Sequence, residues 1–190
     1  ALSRVDLVRP KFYLTMNDKN KWNMQNLLKP SDSTETPFYG TLAVDKGELA
    51  VTMPQGKWQF GVDGSIDGGA NPDFAVDFAV TSGADKLKLA GTMTTKGEGS
   101  MKLTGDQLAL APYAALAKHY GKVEELQGGL GKLALLYVNK NGKQRFSGEA
   151  KLAGLSGKLS LAGERHSLQL DGLVRADENL ISVSSLDALV

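Results

Sequence analysis

The stretch FAVDFAVTSGADKLKLAG, residues 74–91, shows the pattern that recurs through most of this 190-residue chain. Apolar side chains alternate with small or polar ones on both sides of a turn that contains glycine. Alternation with a period of two is typical of an antiparallel strand that has one apolar face and one face in water. The stretch therefore predicts neighbouring strands of an antiparallel meander.

The same alternation recurs along most of the chain. Its 22 glycines exceed the usual ~7% of residues and separate short alternating runs. Turn signals every ~8–12 residues predict on the order of a dozen strands. An open twisted sheet rarely exceeds ~10 strands without curling or splitting. The sequence therefore predicts a mainly β fold, a long antiparallel sheet that curls or folds over.

Two short helices are predicted to interrupt the meander. In PYAALAKHYG, Pro112 suits a first helical turn and Gly121 a left-handed cap, while an apolar stripe runs along one side. The stripe consists of Tyr113, Leu116, Ala117 and Tyr120. The second helix follows Asn23, a predicted N-cap, and ends at Pro30. Such helices can plug one end of a sheet or cover an edge.

Composition excludes several classes of function. The 22 Lys and Arg residues nearly balance the 21 Asp and Glu residues, so no basic field attracts nucleic acid. The absence of cysteine excludes disulfides, thiolate metal sites and cysteine nucleophiles. The longest apolar stretch, 108–117, is about half of the roughly 20 residues needed to span a bilayer.

Catalytic motifs are absent from the sequence. His119 lies on the predicted helix and His166 in a predicted turn, without the neighbours of a zinc or serine-hydrolase motif. The glycine-rich pieces GEGS and GGLGK lack the spacing of a phosphate-binding loop and are interpreted as turns. Glu124 and Glu125 are assigned to a solvated turn after the helix. We therefore predict neither an enzyme nor a cofactor.

The acidic stretch DGSIDGGANPD, residues 63–73, resembles the first part of a calcium-binding loop. Its twelfth position, where a bidentate glutamate closes the calcium shell, is Phe74, and the flanking residues have strand patterns. A polar hairpin loop is the better interpretation, and no metal site is predicted.

The apolar face itself is the remaining candidate site. It is either the core of a closed sandwich or an open trough that takes up a ligand, and periodicity does not separate the two. The candidate groove residues are Leu42, Val44, Leu49, Val51, Trp58, Phe60, Val62, Phe74, Val76, Phe78, Val80, Leu87, Leu89, Met101, Leu103, Leu133, Leu135, Leu159, Leu161, Leu168 and Leu170.

The beginning of the chain carries a strand-like motif followed by a polar turn and a second motif. The residues of the two motifs are Val5, Leu7, Arg9, Pro10, Leu14, Trp22, Asn23, Leu27 and Leu28. This arrangement resembles the AsmA-like family of bacterial envelope proteins, which includes TamB-type members. The family pattern is strand, Arg-Pro, strand, a polar turn, Trp-Asn, a short helix and a low-complexity gap, followed by G-x-L-x-(L/V) hairpins. The family turn usually contains Asp-Gly; the segment 17–21 has no glycine, but Asn and Asp tolerate the left-handed conformation.

The resemblance implies a β-taco or half-pipe groove cut from a longer, inner-membrane-anchored protein that crosses the periplasm. Residues 1–30 then form a strand–turn–helix segment, 31–39 a low-complexity linker, and 40–190 the groove, with a helix near 112–120. The implied activity is conduction of phospholipid acyl chains between the inner and outer membranes. The competing hypothesis is a protein-interaction module whose edge strands pair with outer-membrane protein clients or assembly proteins by β-augmentation.

Overall fold

We analysed a computed structural model that describes residues 3–24, 39–69, 73–94, 97–161, 164–177 and 180–189, with side chains except at 73, 160, 161, 181 and 183–189. It contains eleven strands, a 3-10 turn at Ala111–Tyr113 and helix α1 at Ala114–Gly121. The strands are β1 (Arg4–Val8), β2 (Lys11–Thr15), β3 (Gly40–Met53), β4 (Gly56–Gly68), β5 (Asp73–Ser82), β6 (Asp85–Thr94), β7 (Gly99–Ala109), β8 (Val123–Lys140), β9 (Lys143–Leu161), β10 (Glu164–Ala176) and β11 (Ile181–Leu189).

All eleven strands form one sheet, which confirms the predicted mainly β class. From β3 to β11 each strand pairs antiparallel with the next one in sequence. The sheet is not closed, because its order runs from β1 to β11 without pairing those two strands. The predicted meander is therefore the main body of the fold.

The first two strands differ from the predicted antiparallel sheet. Both β1 and β2 pair parallel with β3, one beside each half of its length. Between them, Arg9 adopts a positive φ of 53° beside the irregularity that separates Val44 from Gly47 in β3. Parallel neighbours need a crossover of about a dozen residues or more, and segment 16–39 supplies that length. Local alternation carries no information on strand direction, so this pairing could not be predicted.

Several strands are longer than predicted because bulges interrupt their alternation. The piece GGLGK, interpreted above as a turn, lies inside the 18-residue strand β8. Register shifts occur there between Gln127 and Gly129 and between Leu130 and Lys132. A bulge inserts an extra residue, so the apolar residues on either side return to the same face. Glycine thus marks bulges as well as turns in this chain.

Glycines on the apolar face leave room for large neighbours. A side chain at Gly105 would meet a Leu87 methyl group at 2.7 Å and a Leu108 methyl group at 2.9 Å. A side chain at Gly148 would likewise meet a methyl group of Leu135 at 2.5 Å. Glycine within a strand permits such close approach and sharp bending. The sheet can therefore bend toward its apolar face without losing contact between side chains.

The apolar face is open to solvent. Among the described residues, Val44 and Leu108 are the only buried hydrophobic ones, with 7% and 8% exposure. The accessible surface area is 13098 Å², whereas a compact chain of this size exposes about 8,800 Å². A closed sandwich would bury its apolar face between two layers. The apolar face is therefore an open trough and not the core of a closed sandwich.

The predicted helix near 112–120 is confirmed in the connection between β7 and β8. Pro112 lies in the 3-10 turn that precedes α1. The left-handed cap is Lys122, with φ 54°, and the prediction of Gly121 for that position was wrong. Tyr120 is 64% exposed and does not belong to an apolar contact face as predicted. We call Leu110–Lys122 the strap.

The predicted helix after Asn23 falls mostly on 25–30, outside the described residues. The carboxamide of Asn23 accepts a hydrogen bond from the Thr15 amide and donates one to the Tyr13 carbonyl. In the preceding turn, Asn20 has a φ of 56°. Asn therefore supplies the left-handed residue that glycine would otherwise provide there.

Candidate functional site: an apolar groove

Strand register places the predicted apolar residues on one face of the sheet. Val62 lies opposite Val80, which lies opposite Leu87. The row continues through Gly105 to Leu133. Parallel rows on this face contain Leu42, Val44, Leu49, Val51, Trp58, Phe60, Phe74, Val76, Phe78, Leu89, Met101, Leu103, Leu135, Leu159, Leu168 and Leu170.

Most of these side chains are half-buried, and Leu135 is 44% exposed. Leu161 lies at the end of β9, and its side chain is outside the description. Their binding of a ligand stays a prediction. The face as a whole is the apolar groove of this article.

A cavity of about 670 Å³ lies within the groove. It is lined by residues of five consecutive strands, β6 to β10, which requires the sheet to be concave there. Ligand cavities typically measure about 300–1,000 Å³. Its apolar lining includes Leu89, Met101, Leu103, Leu135, Tyr137 and Phe146.

Small side chains in β9 and β10 create this cavity. Gly148, Ala150 and Ala176 line it, whereas the neighbouring strands β7 and β8 contribute larger leucine, methionine and tyrosine side chains. Gly148 lies opposite Leu135 and Ala176, and Ala150 lies opposite Leu133. A row of small residues beside a row of large ones produces a depression in the apolar face. The cavity is thus a consequence of side-chain size as well as of sheet curvature.

Sequence reasoning missed part of this lining. Tyr137, Phe146 and Val174 lie on the predicted strands but were not among the candidate groove residues. Ala150 and Ala176 carry no hydrophobic signal strong enough to single them out. Their position opposite large residues, visible only with the register, identifies them.

The strap contacts the apolar face at the opposite end of the groove. Trp58, on the apolar face near the start of β4, donates a hydrogen bond from its indole Nε1 to the Pro112 carbonyl at 2.9 Å. The Trp58 and Tyr113 rings are stacked, with centroids 6.3 Å apart. The contact joins β4 to the connection after β7, although β5 and β6 lie between them in the sheet. The groove therefore has a strap end and, beside the β8–β9 turn, an open end.

A charged cluster lies beside the strap. The Lys118 Nζ is 3.1 Å from Glu124 Oε1, and an Arg165 nitrogen is 3.6 Å from Glu124 Oε2. The hydrogen bond with Lys118, together with the positive charges of Lys118 and Arg165, lowers the pKa of Glu124 below its ordinary value. Lys158 and Glu125 form a neighbouring pair at 2.7 Å. Both glutamates lie in β8, so their assignment to a turn after the helix was wrong.

Replacement of Glu124 by glutamine is expected to remove an acid-sensitive part of the stability. Because the folded-state pKa lies below the ordinary 4.5, the carboxylate stabilises the fold above that pH, and this contribution is lost as pH falls through the lowered pKa. In urea unfolding, E124Q should have a lower free energy of unfolding than wild type at pH 7. The two values should converge in acid. A difference that is independent of pH would contradict this assignment.

The other polar candidates lie on different elements of the fold. His119 is exposed, with its ring edge-on to Tyr120 at 4.6 Å. His166 lies in β10 opposite Leu159, and its assignment to a turn was wrong. Residues 63–68, interpreted as a hairpin loop, belong to β4, where Asp63 accepts a hydrogen bond from the Lys46 amide. In the part of the chain that the structure describes, no cluster of three potential metal ligands is found.

Comparisons with known proteins do not identify a family. Among the described residues, no helix combines the length and apolar character that spanning a membrane requires. No protein-family model, curated protein or solved structure matches the chain.

Proposed function

We propose that the apolar groove binds acyl chains of phospholipids and conducts them as one segment of a bridge between two membranes. The observation that carries this proposal is the 670 Å³ cavity on a sheet face that is apolar yet open to solvent. Monomeric soluble proteins rarely expose large contiguous apolar patches without a binding role. An aliphatic ligand would satisfy this surface without requiring any hydrogen-bond partner.

Acyl chains have enough binding free energy for such a site. Burial of each methylene group contributes about 0.8 kcal/mol, so most of one chain contributes on the order of 10 kcal/mol before ordering costs. A groove that conducts lipids must also release the bound acyl chain. Aliphatic contacts do not fix a ligand at one position, so a chain can slide along leucine and valine rows.

Two polar residues of the cavity lining lie toward the open end. Gln144 is next to the β8–β9 turn, and Asp177 follows the last residue of β10. A bound phospholipid would place its acyl chain against Leu103 and Leu135 and its head group toward this polar margin. This orientation keeps the charged part of the lipid in water, as the cost of burying charge requires.

The cellular setting comes from the resemblance in the first 40 residues. It favours a periplasmic segment of a longer protein anchored in the inner membrane, with transfer between the inner and outer membranes. The open sheet supports this setting because a half-pipe continued by further strands would form a longer groove.

The first experiment is substitution of Leu135 by aspartate. The protein is purified without detergent, incubated with phosphatidylcholine vesicles, reisolated and subjected to native mass spectrometry and solvent extraction. Leu135 lines the cavity and is already 44% exposed, so the fold should tolerate the carboxylate. We expect stoichiometric lipid on wild type and a severalfold loss on L135D.

Leu173→Asp is the matched control. Leu173 of β10 lies opposite Lys151 of β9, on the polar face of the sheet, and is half-buried. It should keep its lipid, and both variants should keep the β circular dichroism signal. A wild-type protein that remains lipid-free and soluble after incubation would overturn the proposal.

The second candidate function is pairing with extended client chains by β-augmentation. Its supporting observation is the pair of sheet edges: within the described residues, β11 pairs with β10 and β1 with β3. Edge pairing uses backbone groups and is independent of the apolar face. L135D should therefore retain client binding under this alternative, whereas proline substitutions along β11 should abolish it.

A further inference from the structure

We propose that the strap is a gate at one end of the apolar groove and that Trp58 is its latch. In the closed state the strap ends the groove at Trp58. In the open state the groove continues past Trp58 to the ends of β3 and β4. The role in lipid passage rests on the proposed function, whereas the latch is a property of the protein alone.

The strap crosses the sheet instead of following its edge. A direct turn between β7 and β8 would contact those two strands, since adjacent antiparallel strands need as few as two linking residues. The strap instead reaches Trp58 on β4 through Pro112 and Tyr113. Two strands, β5 and β6, lie between the points that this contact joins.

The attachment of the strap is light. Neither the 3-10 turn nor α1 contains a buried residue. The side-chain contacts that attach the strap to the sheet include the Trp58 contacts and the ion pair between Lys118 and Glu124. The strands β4, β7 and β8 are hydrogen-bonded to neighbouring strands along most of their length, whereas the strap is not part of this ladder. Segments with few hydrogen bonds and contacts to the rest of the fold open at lower free energy than paired strands. The strap can therefore move while β4, β7 and β8 each keep their places in the sheet.

A specific backbone feature marks each end of the strap. At its start, the Leu110 amide donates to the Gly128 carbonyl of β8 at 3.0 Å. At its end, Lys122 has the left-handed φ of 54° that stops α1 before β8 begins. Hinges are commonly a few residues at element ends that absorb the backbone change. These two positions provide hinges on either side of α1.

The gate lies at the opposite end from the cavity. The cavity residues Tyr137 and Phe146 lie beside the β8–β9 turn, whereas Trp58 lies beside the β3–β4 turn. Along β8, the seven residue-to-residue steps from Tyr137 to Leu130 correspond to about 23 Å of strand. With the gate closed, the groove ends at the strap and is accessible from its other end. Opening it changes a pocket into a passage.

The test is a distance measurement between two spin labels by pulsed electron paramagnetic resonance. The sequence has no cysteine, so cysteines introduced at Lys57 and Ala115 are the sole attachment points. Both positions are exposed, one on β4 and the other on α1. A second pair, Lys57 and Lys88 on β4 and β6, reports on the sheet alone.

We expect one narrow distance for the Lys57–Ala115 pair in the wild-type background and an additional longer distance in Trp58→Phe, which lacks the indole donor. Tyr113→Ala, which removes the stacking partner without altering the sheet, should show the same longer distance. Phosphatidylcholine vesicles should produce this longer distance in wild type as well. The Lys57–Lys88 distance should stay constant throughout.

The outcomes separate the gate from the proposed function. An unchanged narrow distance in both Trp58→Phe and Tyr113→Ala overturns the latch. Lipid recovered by extraction without any change in the wild-type distances overturns the gate while leaving lipid binding intact. A longer distance in the variants with no lipid recovered from any protein supports the latch and overturns the lipid function.

Discussion

Ala150→Phe is expected to lower the phospholipid retained by the protein at least about tenfold. Ala150 lines the cavity in β9, opposite Leu133 and Val174. A phenylalanine ring there occupies volume that an acyl chain would otherwise fill. Exclusion of two methylene groups removes about 1.6 kcal/mol of binding free energy at ~0.8 kcal/mol each, which corresponds to slightly more than tenfold in affinity. Lipid per protein after vesicle incubation, measured by extraction, gives the result.

Ala79→Phe is the matched control. Ala79 is exposed on β5 opposite Asp63 and Lys88, on the polar face of the sheet. Both substitutions replace alanine with a residue of higher β propensity, so neither should weaken the strands. The control variant should retain lipid at the wild-type level. Equal lipid on both variants would show that the cavity is not where acyl chains bind.

Gly91→Ala is expected to lower the free energy of unfolding by about 1–3 kcal/mol, the usual cost of inserting atoms into a packed site. Gly91 lies in β6 on the apolar face, between Val76 and Met101. An added Cβ would overlap the Ser100 carbonyl oxygen and lie 2.8 Å from the Met101 Cα. Both obstacles are backbone atoms, so β7 itself must move. Urea unfolding followed by circular dichroism measures the effect.

Gly69→Ala is the control for Gly91→Ala. A Cβ at Gly69 has no neighbour within 4 Å. A substitution without steric conflict should change stability by less than about 0.5 kcal/mol. If the two variants are equally stable, the glycines of the apolar face do not set the approach of neighbouring strands, and the account of sheet bending given above is wrong.

The predictable part of the fold depended on contacts between residues close in sequence. The runs at Phe74–Val80 and Leu87–Leu89 are strands with one apolar face, as their alternation predicts. The strap helix was visible from Pro112 and the periodicity after it. These signals are local because side-chain direction follows from the backbone geometry of adjacent residues.

Bulges set the first limit of sequence reasoning. At Gln107 and Glu125 the backbone takes a positive φ inside a strand, and the alternation shifts by one residue. From sequence, such a shift is indistinguishable from the end of one strand and the start of another. Strand β8 was therefore interpreted as a turn followed by a shorter strand, although it runs unbroken from Val123 to Lys140.

Local sequence patterns alone predict a sheet of about a dozen strands with one apolar face, and they identify most of the large residues on that face. The tertiary structure alone decided that the face is open, that β1 and β2 run parallel to β3, and that a cavity forms beside Ala150. It also decided the contact between Trp58 and Pro112, which are 54 residues apart. The physical reason is that register, strand direction and curvature depend on which segments pair, and pairing is set by the free energy of the whole sheet.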